Sequence, residues 1–224
     1  MNRTISAAVL IGCISILFVG STVLASPEQS LRSNIDIIIG TNGDDDIFAS
    51  EQMNTRVLAF SGDDLVVLTE AGVENYVDAG SGNDSVFDSP FYDKIILRDG
   101  NDMVTHTGGN DFISGGSGDD VFEAYLEQAL NPPALPYDPG KPYVTRIEGD
   151  DGIDNMIFYM TEEQITAGYV EAIAGAFENW DHEGELDLIV ATHDLDQPLN
   201  IILLDIELLT IINQETGEII LVIN

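Results

Sequence analysis

Between residues 35 and 123, short apolar runs alternate with turns rich in Gly, Asn and Asp, and the alternation keeps a fixed phase. Its clearest copies are GTNGDDDI at 40–47, AGSGNDSV at 79–86 and GGSGDDVF at 115–122. With each unit numbered from one to nine, Gly falls at position four, Asp at six and an apolar residue at eight. Starts at Leu97, His106 and Gly115 are nine residues apart, and the stronger starts at Gly40, Ala59, Ala79, Leu97 and Gly115 are separated by 19, 20, 18 and 18. A period of this kind marks a parallel solenoid in which each unit is a turn plus a short strand. The position-eight residues Ile47, Val66, Val86, Val104, Ile113 and Phe122 are then the first inward-pointing side chains of each strand. The expected fold is mainly β, a parallel β-roll over 35–158 beginning with a strand at 35–39.

Elsewhere the pattern changes. Residues 123–130 favour a short helix, and 131–141 hold four prolines, the composition of an excursion from the coil. At Thr161 the run TEEQ has capping-box spacing, and Ile165, Tyr169, Ile173 and Phe177 recur at every fourth residue as an amphipathic helix requires. Strand-like runs follow at 186–191, 200–204, 207–213 and 218–223, with a turn at 214–217. Residues 159–224 are therefore expected to form a small α+β cap over the open end of the roll. At the other end a basic start precedes an apolar run over 5–24 and the small-residue site Val23-Leu-Ala25. This reads as a secretory signal peptide, 1–25, followed by a linker, 26–34. A membrane anchor, or lipid attachment at the Leu10-Ile-Gly-Cys13 sequence, are the alternatives.

Composition narrows the function classes. Forty acidic residues against seven Lys and Arg give a net charge of -33, which disfavours nucleic acid and anionic membrane surfaces as partners. Such charge suits a disordered chain, but 44% hydrophobic residues and a positive mean hydropathy oppose that reading. Cys13 is the sole cysteine and lies in the expected leader, so the exported chain has no disulfide, thiolate metal site or cysteine nucleophile.

The turns carry the candidate chemistry. Glycines at positions one, two and four permit backbone curvature that leaves carbonyls uncovered, and the Asp at six adds a carboxylate. Calcium takes several hard oxygen ligands in a flexible shell, which such a turn provides. The stretch resembles the hemolysin-type RTX calcium-binding repeats, G-G-x-G-x-D-x-U-x, over roughly half the chain. The resemblance implies a β-roll with calcium held between stacked loops by position-six carboxylates and backbone carbonyls. Two units make one coil, so alternate units fall on opposite edges. One edge then carries Gly43/Asp45, Gly62/Asp64, Gly82/Asp84, Gly100/Asp102 and Gly118/Asp120. On the other, position six is Thr55 and Asn75 in two degenerate units, and Asp93 and Gly109/Asp111 look competent. Gly152 and Asp154 fit the motif again after the interruption.

Other signals are weaker. Residues 179–190 place oxygen ligands at EF-hand positions one, three, five and nine, but Val190 stands at position twelve where a bidentate Glu belongs. No HExxH, G-x-S-x-G or phosphate loop is present, and His106, His182 and His193 show no ligand spacing. The expected function is that of a secreted, non-enzymatic calcium-binding module that folds on binding calcium and serves a structural, surface or adhesive role. Extracellular or cell-surface polysaccharide is its candidate partner. A small calcium-dependent hydrolytic or polysaccharide-modifying enzyme and a calcium-dependent glycan-binding module are the alternatives.

Overall fold

The computed structural model describes residues 16–18, 23–24, 35–49, 54–68, 74–126, 144–180, 184–190 and 199–224. Among these residues the chain zigzags between two sheets. One sheet contains β1 (Ile16–Phe18), β3 (Ile35–Ile39), β5 (Asn54–Ser61), β7 (Glu74–Ser81), β9 (Tyr92–Asp99), β11 (Phe112–Ser117) and β13 (Val144–Asp151), in that order. The facing sheet contains β2 (Val23–Leu24), β4 (Asp46–Phe48), β6 (Leu65–Val67), β8 (Ser85–Phe87), β10 (Met103–His106), β12 (Val121–Tyr125) and β14 (Asn155–Met160). All neighbours among these strands are parallel, each coil giving one strand to each sheet.

The register follows from the apolar period. In the first sheet Ile38, Val57, Val77, Ile95, Ile113 and Ile147 stack rung on rung, all buried. In the second, Ile47, Val66, Val86, Val104, Phe122 and Met156 do the same. A slip of one residue would turn each column out to solvent, at roughly 1.5 to 3 kcal/mol per large side chain, so the stacking fixes the register.

Beyond Met160 the structure departs from a simple cap. Strands β16 (Leu199–Leu204) and β17 (Leu208–Asn213) pair in parallel with β13 and β14 and add one further rung, with Leu203 under Ile147 and Leu209 under Met156. Only then do β15 (Leu186–Val190) and β18 (Ile219–Ile223) close the sheets with antiparallel pairing. The region expected as a cap over 159–224 is part coil and part cap. Thr161 forms the capping box with Gln164 at the start of α1 (Glu162–Thr166). Gly168, at φ 90°, then breaks the expected single helix, and α2 (Tyr169–Glu178) buries Ile173 and Phe177 against the end of the core.

Residues 123–125, expected as helix, are strand. Ala124 continues the inward alternation of β12, and parallel pairing with β14 outweighs local helix preference as far as Tyr125; Leu126 is helical. The remainder of that expected helix, the proline-rich excursion up to 143, residues 181–183 of the EF-hand-like stretch and the linker lie outside the described residues. So does most of the expected leader; its two described pieces, β1 and β2, are the outermost parallel strands beside β3 and β4.

Candidate functional site

The turns that join the two sheets stack along one edge, and their position-six carboxylates form a continuous ladder. The backbone N–H of Asp45 donates to Asp64 Oδ1 at 2.8 Å, and that of Asp64 donates to Asp84 Oδ1 at 2.8 Å. Asp84 N–H donates to Asp102 Oδ1, Asp102 N–H to Asp120 Oδ1 and Asp120 N–H to Asp154 Oδ1, at 2.7, 2.8 and 2.8 Å. Glu207, in the turn before β17, takes the N–H of Asp154 at 2.8 Å and ends the series. The second oxygen of each rung has a different fate. Oδ2 of Asp64, Asp84, Asp102, Asp120 and Asp154 is buried and accepts no hydrogen bond. Asp45 departs from this pattern, because Thr41 N–H and the Thr41 hydroxyl donate to its Oδ2 at 2.6 and 3.0 Å.

Two further columns hold the ladder in place. Position five is Asp44, Asp63, Asn83, Asn101 and Asp119, whose side-chain oxygens accept the N–H one rung on, from Asp63, Asn83, Asn101, Asp119 and Ile153. Position four is the glycine column. A Cβ on Gly100, at φ 149°, would collide with the carbonyl oxygen of Gly82, so the rungs close up only where no side chain intervenes. Gly43, Gly62, Gly82, Gly100, Gly118 and Gly152 occupy this column, and Gly43 at its open end meets nothing within 4 Å.

The opposite edge is built differently. Thr55 N–H donates to Asn75 Oδ1, the Asn75 amide to Asp93 Oδ1, Asp93 N–H to Asp111 Oδ1, and Asp111 N–H to Thr145 Oγ1. Asp93 Oδ2 accepts from the N–H and hydroxyl of Ser89, so both Asp93 oxygens are engaged. Asp111 Oδ2 is buried without a hydrogen bond, and Gly109 sits two residues before it in the same turn at φ 138°. Next to it lies His106, which the spacing of the sequence did not mark as a ligand; its Nδ1 is 2.7 Å from Asp88 Oδ2 and 3.3 Å from Asp111 Oδ2.

Against known families, the profile of the RTX calcium-binding nonapeptide repeat matches in four copies, at residues 33–52, 78–113 and 99–125. The chain carries RTX calcium-binding repeats. No curated protein and no solved structure matches it. RTX nonapeptide repeats bind calcium ions, and in this chain they form part of a mainly β structure with parallel sheets.

The donor set of the RTX edge fits that ion on its own evidence. Buried carboxylate oxygens with no donor are costly unless a cation or a proton meets them, and five such atoms stand in one column. Their titration tells the same story. Burial pushes the carboxyls of Asp64, Asp102 and Asp120 up to about 7 and that of Asp154 to about 6, against an ordinary 3.8. Asp84 is raised by the same cause. Neighbouring carboxylates add to the rise, and each backbone N–H opposes it. Glu207 and the position-five column were not singled out from the sequence. The column is legible there, since Asp or Asn precedes each position-six Asp from Asp45 to Asp120; it ends at Ile153, before Asp154.

Proposed function

We propose that calcium binds between successive rungs of the edge running from Asp45 to Asp154, and that the roll is a calcium-folded structural module. The observation that carries this is the column of buried, undonated Oδ2 atoms on Asp64, Asp84, Asp102, Asp120 and Asp154. Backbone carbonyls of the glycine turns complete the shell. Asp93 adds no calcium ligand, because both its oxygens already accept protein donors. Calorimetry separates the edges. Asp84→Ala and Asp102→Ala should each weaken two neighbouring sites, while Thr55→Ala and Asn75→Ala leave the stoichiometry unchanged; equal losses from both edges contradict the assignment.

The module acts outside the cytoplasm, its first residue being Ser26 after removal of 1–25. Intact-mass measurement of exported material checks this, and a mass that retains Met1 or a lipid on Cys13 contradicts it. A glycan-binding role is the second reading. Outward residues of the first sheet alternate cation and ring in register: Arg56, Tyr76, Lys94, Phe112 and Arg146. Arg56 lies 4.8 Å over the Tyr76 ring and Lys94 5.4 Å over that of Phe112, and neither forms an ion pair among the described residues. Retention of the calcium-loaded protein on an acidic polysaccharide, lost in Arg56→Ala/Lys94→Ala, tests it; equal retention of both proteins, or none, rejects it.

A further inference from the structure

The interior of the second edge holds a cluster that the calcium ladder does not use. We propose that Asp88, His106 and Asp111 form a separate site for one first-row divalent cation of the zinc class, ligated through Asp88 Oδ2, His106 Nδ1 and Asp111 Oδ2. The three residues come from two successive coils of the roll: Asp88 follows β8, while His106, at the end of β10, and Asp111, before β11, flank the corresponding turn of the next coil. Their ligand atoms lie within 4.8 Å of one another, the range from which side-chain adjustment can converge on one ion at bonds of about 2.0 to 2.2 Å. Side-chain exposure is 1% for His106 and 0% for both aspartates.

The surroundings of the ring can accommodate a bare Nδ1 facing the carboxylates. Thr145 Oγ1 lies 3.2 Å from Gly109 O, to which its hydroxyl donates, so its oxygen is left to accept. It accepts the Asp111 N–H at 3.4 Å and faces His106 Nε2 at 3.5 Å. A ring proton on Nε2 would have Thr145 Oγ1 as its acceptor, the arrangement in which an outer-shell acceptor orients a metal-bound histidine. Nδ1 is then a lone pair directed at two carboxylate oxygens, with Asp111 Oδ2 lacking any hydrogen bond. Three such atoms facing one another in a buried space need a positive centre between them, which a cation supplies in this tautomer and a second ring proton supplies in its absence.

The donor set selects the ion. Calcium is served by oxygen alone, whereas one imidazole with two carboxylates suits zinc, cobalt or a related first-row ion. Asp88 Oδ1 is anchored by the Thr107 N–H and hydroxyl, both at 2.7 Å, which leaves Oδ2 for the metal. Because no ligand reaches solvent, the ion enters as the coils close and not afterwards.

The test is refolding from chelator into excess calcium with Co2+ as the probe. The wild-type protein should retain one Co2+ per chain after desalting, with visible d–d absorption that Zn2+ abolishes. His106→Gln and Asp88→Asn should lose that signal while keeping the wild-type calcium stoichiometry. X-ray absorption at the zinc edge of the wild-type protein, expected to show imidazole scattering, needs no variant to fold. Wild-type protein that retains no Co2+ in calcium overturns the proposal and leaves a proton on Nδ1, or calcium, as the positive centre. Retention unchanged in His106→Gln, or a zinc edge without imidazole, overturns it equally.

Discussion

Asp102 shows how one side chain serves both fold and ligand. Its Oδ1 accepts the Asp84 N–H, and its Oδ2 is buried with no donor. Asp102→Asn keeps an oxygen for the first role and removes the charge needed for the second. In calcium the variant should therefore be less stable than wild type by about 1 to 3 kcal/mol, and in chelator more stable, because one buried repulsion is gone. A thermal melt in calcium and the β content in chelator at pH 8 check this reversal of sign. The neighbouring pKa values extend the argument to pH. A carboxyl raised by burial from 3.8 to about 7 in the fold, as in Asp64 and Asp120, holds its proton more tightly folded than unfolded. Its contribution to calcium-free stability is fully present below 3.8 and is lost as pH rises through about 7. Chelated protein should hold more β structure at pH 5.5 than at pH 8, and calcium affinity should fall from pH 8 to pH 5.5 as protons compete for Oδ2. Position two offers a separate test, since Phe60 sits at φ 83° in a column whose other members include Gly80 and Gly116. Phe60 is 48% exposed, so Phe60→Gly relieves backbone strain at little loss of burial and should stabilise by about 1 kcal/mol in denaturant unfolding.

At the level of elements, a fixed period carries most of the information. The apolar residue at position eight places Ile47, Val66, Val86, Val104 and Phe122 in one buried column, and the Asp at position six places the ladder beside it. Both were legible because every rung repeats the same local solution. What was not legible depends on rungs meeting across long separations. Glu207 joins the ladder 53 residues after Asp154 without any motif around it. Asp88 and His106 stand at position one, where the repeat has Gly, and they meet only because neighbouring coils stack. The helix expected from Thr161 onwards has the right cap and face, yet Gly168 in a left-handed conformation splits it. The second piece seats Phe177, 1% exposed, edge-to-face on Trp180 at 5.8 Å. Phe177→Ala opens a cavity at the end of the core and should cost about 3 to 5 kcal/mol of stability in calcium, measured by urea unfolding, with calcium stoichiometry unchanged.

Across the whole molecule, charge and a narrow core set the terms of folding. A net charge of -33 and stacked carboxylates oppose closure of the coils. Rungs about 4.8 Å apart give about 3 kcal/mol of repulsion per neighbouring pair at an effective dielectric near 20. Over the ladder, that total is comparable with the whole stability of a domain, about 5 to 15 kcal/mol. Calcium between rungs turns each repulsion into an attraction, so its binding free energy becomes folding free energy. Far-ultraviolet circular dichroism of the purified protein at pH 8, recorded in chelator and then in millimolar calcium, measures this directly. The expected result is a largely disordered spectrum that becomes β-rich on adding calcium, with a melting temperature that climbs with calcium concentration. A spectrum and melting temperature indifferent to calcium would mean that the carboxylate ladder is a set of solvated turns.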